Sequence, residues 1–172
     1  GYAQGGHDAA FQGCSNLTSV TFGANSQLDT IGDYAFDRCS SLTEITIPDR
    51  VTTIGDSTFQ ECFSLTEITI PDSVTSIGER TFLNCGALTS VTIGSGVTTI
   101  GERVFYICSL TEITIPDNVT TIEKEAFYSC NKLTSITIPD KVTSIGDSAF
   151  RSCSNLTSVT FGANSQLTSI GE

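Results

Sequence analysis

The chain has 172 residues, a net charge of −11 and a sequence pI of about 4.3. A protein this acidic is not expected to bind nucleic acid or anionic membrane surfaces, because both attract basic proteins. No apolar run approaches the roughly 18 residues that a membrane-spanning helix needs, so no membrane insertion is expected.

The N-terminal end is the least regular part of the chain. Gly6 stands where the next copy of the repeat described below has Ile31, so a core residue is missing. We expect residues 1–10 to be frayed or derived from cloning, with His7 solvated. The chain has no Met and no visible signal peptide, so we expect it to be a processed or cloned fragment.

From residue 11 onward, one pattern is written seven times. The Phe of a Phe-x-x-Cys pair recurs with steps of 25, 23, 23, 23, 22 and 23 residues. A fixed period of about 20–29 residues is the signature of a solenoid, whose units are too small to bury an apolar face without their neighbours. We therefore predict a single domain, residues 1–172, of about seven coils. The coils are numbered by their phenylalanines: Phe11, Phe36, Phe59, Phe82, Phe105, Phe127 and Phe150.

A short strand is predicted after each Cys. This segment reads Leu-x-x-Ile-x-Ile, and its β-branched residues favour a strand. The fourth and sixth residues should point inward, and the third and fifth outward. Stacked copies predict a parallel sheet with one strand per coil, called the main sheet below. The predicted strands cover residues 17–22, 42–47, 65–70, 88–93, 110–115, 133–138 and 156–161.

A corner and a second apolar segment follow each strand. Pro-Asp fills the corner in four copies, because proline ends a strand and aspartate suits a turn. Val-Thr-Thr/Ser-Ile-Gly comes next, and an acid such as Asp56 then begins what we predict to be a short helical turn, where it would face the positive end of the helix dipole. Calcium binding is the alternative role for these acids. They fall once per coil without dense oxygen clustering, so we expect no metal site.

All seven cysteines occupy the same slot of the repeat. An odd number cannot pair fully within one chain, and the spacing and the single His exclude familiar zinc patterns. We predict seven free, largely buried thiols, since free Cys is among the most buried residue types. Disulfides between neighbouring coils are the alternative; the distance allows them, but parallel Cβ vectors disfavour them.

Two irregularities stand out among the repeats. Cys108-Ser109-Leu110 is one residue shorter than the usual Cys-x-x-Leu. Residues 14–28 recur unchanged at 153–167, which suggests a larger array from which this piece was taken.

The motif Phe-x-x-Cys-x-x-Leu-Thr-x-Ile-Thr-Ile-Pro-x-x-Val-x-x-Ile-Gly resembles the BspA-like leucine-rich repeat, over about residues 8–172. It lacks the asparagine ladder of the commoner leucine-rich pattern. The resemblance implies a right-handed leucine-rich solenoid, mainly β with a parallel sheet and short helical turns, within a large secreted or cell-surface protein. It also implies adhesion to host matrix proteins or contact between cells, and it carries no shared catalytic residues.

The predicted function is a protein-binding, adhesive module that uses the outward face of the main sheet, because solenoids bind partners on such extended faces. The expected partner is a protein, such as an extracellular matrix component or another cell surface. The candidate residues are the third and fifth of each strand: Ser19, Thr21, Glu44, Thr46, Glu67, Thr69, Ser90, Thr92, Glu112, Thr114, Ser135, Thr137, Ser158 and Thr160.

Ice binding and catalysis are the alternatives to an adhesive role. Ice binding could use the regular threonine columns, namely the fifth strand position and the set Thr52, Thr75, Thr98, Thr120 and Thr143, although three glutamates interrupt the neatest face. An enzyme is not expected, because there is no Ser/His/Asp set, metal cluster or phosphate loop, and no cofactor is predicted.

Overall fold

A computed structural model describes residues 9–172. The predicted frayed end, residues 1–10 with His7, therefore lies outside the described residues except for Ala9 and Ala10. The predicted solenoid is confirmed: about seven coils stack through parallel strands. These are β1 Ser19–Val20, β2 Thr30–Ile31, β3 Glu44–Ile45, β4 Thr53–Ile54, β5 Glu67–Ile70, β6 Ser76–Ile77, β7 Ser90–Ile93, β8 Thr99–Ile100, β9 Thr121–Ile122, β10 Ser135–Ile138, β11 Ser144–Ile145, β12 Ser158–Phe161 and β13 Ser169–Ile170.

The main sheet is present but interrupted. Its strands pair in parallel as β1 with β3, β5 with β7 and β10 with β12. Coil five has no regular strand at residues 110–115, where one was predicted. The one-residue deletion before Leu110 explains the difference, because it shifts the chain out of the period that its neighbours share. Ile113 and Ile115 of this coil are buried nevertheless.

A second set of strands runs along another side of the coils. The Thr/Ser-Ile pair of the Val-Thr-Thr/Ser-Ile-Gly segment forms it, in the orders β2-β4-β6 and β8-β9-β11-β13. Matching residues face each other, as in Ile31 with Ile54 and Ile54 with Ile77. Equivalent residues of neighbouring coils therefore stack on each other in both sets of strands. A repeat that has no core of its own requires this stacking.

The predicted short helical turns are replaced by runs of turns, and residues 9–172 contain no helix, hence none long and apolar enough to cross a membrane. In coil three, Ser57 and Glu61 have φ values of 51° and 56°. The amides of Ser57, Phe59 and Glu61 donate to carbonyl oxygens of the next coil at 2.8–2.9 Å. These amides thus donate hydrogen bonds to the next coil, whereas in a helix they would donate to carbonyls of their own segment.

The core is a set of columns, one residue per coil. The four largest fully buried side chains are Phe59, Phe82, Phe105 and Phe127. Adjacent rings from Phe11 to Phe150 stack with centroids 5.1–5.6 Å apart. Their planes lie within 5° of parallel except at the Phe105–Phe127 step, where they meet at 20°. This tilt coincides with the shortened coil five.

The predicted strand faces are confirmed in the interior coils. Ile68 and Ile70 are buried, whereas Glu67 and Thr69 between them are exposed. In coil seven, by contrast, all four residues of β12 are exposed.

We predict that Ile68→Asp lowers the free energy of unfolding by about 4 kcal/mol or more, because it places an unpaired charge in the core. The matched change one residue along, Thr69→Asp, should alter it by less than about 1 kcal/mol, because that side chain faces solvent. Urea unfolding of the two variants measures the difference. Equal losses would show that the strand faces are reversed.

Candidate functional site

The fourteen predicted binding residues lie on one exposed face of the main sheet. Parallel pairing sets Glu67 opposite Ser90 and Thr69 opposite Thr92, so the third and fifth strand positions form two adjacent columns. Every member of both columns is exposed. The structure brings these side chains together on one surface; their role in binding stays a prediction.

The third-position column concentrates negative charge. Glu44 and Glu67 occupy consecutive coils, so they lie roughly 5 Å apart along the stack. Among the described residues, neither glutamate forms an ion pair or a side-chain hydrogen bond, and the same holds for Glu112. These carboxylates therefore face solvent without a neutralising partner from the chain.

A shallow depression of about 410 Å³ crosses this face over coils two to four. Glu44, Glu67 and Asp49 supply three carboxylates to its lining, beside Thr69 and Ser90, and no Lys or Arg lines it. Sequence reasoning did not select Asp49. The available signal was its place in the Pro-Asp corner, directly after a strand whose outward residues had been selected.

The two threonine columns are not equivalent. In one of the two columns named for ice binding, the hydroxyls of Thr52, Thr75, Thr120 and Thr143 donate to a backbone carbonyl of the preceding coil at 3.1–3.3 Å. The hydroxyls of this column therefore hold neighbouring coils together. The fifth-position threonines of the main sheet form no such bond within the described residues, and their hydroxyls remain available to a ligand.

The acids at the start of the turn segments also bind across coils. Asp33 Oδ1 accepts from the amide of Asp56, and Asp56 Oδ1 from the amide of Glu79, each at 2.8 Å. A methyl group on Gly78 would collide with Asp56, which explains glycine at that slot. Glu123 takes the glycine slot once, and its carboxylate accepts from the amide of Glu102 at 3.0 Å.

The role that the structure gives these acids is therefore to hydrogen-bond the amides of neighbouring coils. With no helix in the described residues, there is no helix dipole to face. Nor do residues 9–172 contain three or more His, Cys, Asp or Glu side chains grouped to hold a metal ion.

The cysteines form a column of thiols beneath the turn segments. All seven are free, and six are buried as predicted; Cys14 is exposed, which corrects the prediction for that residue. Each buried thiol donates to the carbonyl oxygen of the Phe one coil earlier, at 3.1–3.3 Å. Within residues 9–172, the thiol of Cys14 donates no such bond.

Burial changes the acidity of the thiols. It raises the pKa of Cys39 to about 11 and that of Cys85 and Cys130 to about 12, and it raises the pKa of Cys62 and Cys108 as well. Only the thiolate is nucleophilic. The buried cysteines are therefore inert core residues near neutral pH.

Comparison with known families and structures agrees with this architecture. A model of the BspA type leucine rich repeat region matches in six copies, over residues 7–132 and 76–172. No curated protein sequence matches the chain.

Among solved structures, the leucine rich repeat protein of T. pallidum is 28% identical, with a TM-score of 0.80 over 89% of this chain and 72% of that one. A leucine rich cell surface protein from Faecalibacterium prausnitzii is 26% identical, with a TM-score of 0.57 over 92% of this chain. A leucine-rich repeat protein from Bacteroides ovatus is 27% identical, with a TM-score of 0.55 over 94% of this chain. The chain spans 65% and 62% of these last two proteins.

We predict that, in the native protein at pH 8, a thiol reagent such as DTNB modifies Cys14 rapidly and the other six thiols only after unfolding. The reason is that six of the seven thiols are buried and protonated. Absorbance of the released thiolate counts both classes. Rapid modification of several thiols in the native protein, or fewer than seven after unfolding without reductant, would contradict the structure.

We also predict that alkaline pH weakens the fold through these thiols. Their pKa is raised on folding, so the unfolded chain loses its thiol protons first, and stability falls as pH rises from about 9 toward 11–12. Below about pH 7.5 the effect is absent, because the thiols are then protonated in the folded and the unfolded chain alike. Urea unfolding at pH 8 and pH 10.5 should show a smaller loss for the variant Cys62→Ala/Cys85→Ala than for the parent chain. Equal losses of stability in the variant and the parent chain would show that ionisation of these thiols is not the cause.

Proposed function

Because this chain belongs to the BspA-type leucine-rich repeat family, we propose that it is a protein-binding, adhesive module of a secreted or cell-surface protein. The proposed binding surface is the outward face of the main sheet. The cell-surface protein of Faecalibacterium prausnitzii, similar along most of this chain, supports the proposed location.

The observation that carries the proposal is the arrangement of the third strand position. It varies between Ser and Glu from coil to coil, while the fourth and sixth positions keep Ile, Val or Phe. All its side chains are exposed and held in register by a rigid stack. A surface that varies on a constant scaffold can be complementary to one partner and not to others.

Charge indicates the kind of partner. Glu44, Asp49 and Glu67 line one depression without a basic neighbour in its lining, on a chain whose net charge is −11. Carboxylates this close repel each other mildly unless a cation or salt screens them. The best complement is therefore a basic protein surface, one whose Lys or Arg side chains enter the depression.

A binding screen against purified matrix and cell-surface proteins tests the proposal. Biolayer interferometry with the immobilised chain, at about 50 mM and 300 mM salt, should identify at least one basic partner. Electrostatic steering acts on association, so its on-rate should fall with salt. Absence of any binder in the panel, or binders that prove indifferent to salt, would contradict it.

We predict that the triple variant Glu44→Gln/Glu67→Gln/Glu112→Gln binds this partner about three- to tenfold more weakly at low salt, chiefly through slower association. Glutamine keeps the side-chain size, so thermal stability should not change. Glu44→Gln/Glu67→Gln should reproduce most of the loss, because Glu112 lies outside the depression.

The matched control is Asp29→Asn/Glu79→Gln, which removes the same charge as the double variant from exposed positions outside the main sheet. Equal weakening by the control would show that the loss of affinity comes from the change in net charge and not from the glutamate column. Unchanged affinity of the triple variant would exclude the glutamate column as the site.

A further inference from the structure

A second surface, called the turn edge below, runs along the turn segments of the coils. Coil five differs from the other coils on this surface. This edge consists of the residue after each Phe and the residue before each Cys. Most coils place a polar side chain at the second position, such as Arg38, Glu61, Asn84, Ser129 and Ser152. Coil five places Ile107 there, beside Tyr106.

Ile107 is both exposed and strained. Its side chain is 43% exposed, and its φ of 56° lies in the left-handed region, which is a genuine outlier for a β-branched residue. Its amide donates to the carbonyl of Tyr128 at 2.8 Å, so the stack holds this backbone in place whatever the side chain. An isoleucine here adds strain of about 1–3 kcal/mol while 43% of its surface stays in contact with solvent, so its burial offsets that cost only in part.

The neighbouring side chains form a four-membered stack. The rings of Tyr106 and Tyr128 lie 4.7 Å apart and within 7° of parallel. The guanidinium carbon of Arg103 lies 5.9 Å from the Tyr106 ring centre, and that of Arg151 lies 6.0 Å from the Tyr128 ring centre. Both tyrosines are only partly buried, so the edge of this stack is a rigid aromatic surface in contact with solvent.

The two arginines differ in their partners. Arg103 binds Glu125 and lies 3.2 Å from Glu102. Its hydrogen bond to Glu125 is the main reason that the pKa of that carboxyl is lowered. Arg151 is exposed and has no ion pair within residues 9–172, although Glu125 is near enough to sense its charge. Its guanidinium is thus held over a tyrosine while its donors are free for a carboxylate.

We propose that Tyr106, Ile107, Tyr128 and Arg151 form a second binding site, for an extended segment of a partner protein that carries a carboxylate and an aliphatic side chain. The carboxylate would pair with Arg151 in the bidentate geometry that guanidinium favours, and the aliphatic group would cover Ile107. Tyrosine and arginine are also the residues most often found at the energetic centre of protein interfaces.

The geometry sets the spacing within the ligand. Arg151 and Ile107 are two coils apart, which is about 10 Å along the stack. An extended chain rises about 3.3 Å per residue, so the two ligand groups should be about three residues apart. Stacking of a sugar fits less well, because the tyrosine faces are covered by each other and by the arginines.

This site is independent of the proposed acidic surface on the main sheet, and it has the opposite preference in charge.

The test is selection of a phage-displayed library of random 12-residue peptides on the whole immobilised chain. The expected consensus is Asp or Glu with Leu, Ile or Val about three residues away. No enrichment over blank matrix, or an enriched set that is basic, would overturn the proposal.

Variants then locate the peptide. Ile107→Ser, which installs the residue that coils six and seven have in this slot, and Arg151→Gln, which installs the residue of coil three, should each raise the Kd of a synthetic selected peptide about tenfold. Glu61→Ser, the matched change in coil three, and the triple glutamine variant of the main sheet should leave it within about twofold. Equal affinity for all these variants would overturn the assignment.

Thermal melting separates binding from a structural role. Ile107→Ser relieves the strain of a β-branched residue, so its Tm should be no lower than that of the parent chain. A lower Tm together with unchanged affinity for the peptide would identify Ile107 as a packing residue and overturn its place in the site. Size-exclusion chromatography should show the same monomeric elution for the parent chain and both variants. Loss of a dimer in the variants would assign the surface to self-association instead.

Discussion

Every coil of this protein depends on the next because none has a core or a complete set of hydrogen bonds of its own. The Phe–Cys column shows the dependence most directly. Each buried thiol donates to a phenylalanine carbonyl one coil earlier at 3.1–3.3 Å, while the rings themselves stack at 5.1–5.6 Å. These contacts, with two strand ladders and the turn amides, fix the register of the stack. A substitution at one buried position therefore affects the packing of the coils on both sides.

The same dependence separates stability from recognition. Buried slots repeat with little change, because each must match the slot above and below it. Exposed slots have no such constraint, so charge and aromatic content can differ from coil to coil. The acidic depression on the main sheet and the tyrosine–arginine stack on the turn edge are two outcomes of this freedom. They lie on different faces, and the ligands proposed for them have opposite charge, which would let one module hold two partners or two parts of one partner.

Coil five shows how a single deletion is absorbed. The missing residue removes the regular strand of the main sheet and tilts the Phe127 ring by 20° relative to Phe105, but Ile113 and Ile115 stay buried. The apolar columns thus tolerate a local loss of strand hydrogen bonding. The coil that contains the deletion is also the one that presents Tyr106 and Ile107, so irregularity and surface chemistry coincide.

The sequence by itself determined the solenoid, the number of coils, the two faces of each strand and the shared slot of the cysteines. These follow from the period and from strict alternation, which are local properties of the chain. It also identified the fourteen exposed side chains of the candidate face, because alternation decides which side of a strand a residue occupies. Only the tertiary structure revealed the second strand ladder and replaced the expected helical turns, because those depend on which amides the next coil can bond. Only it placed Asp49 in the depression, showed Cys14 to be exposed and set Arg151 over Tyr128, since contacts between residues of neighbouring coils arise when the coils stack and cannot be seen within a single repeat.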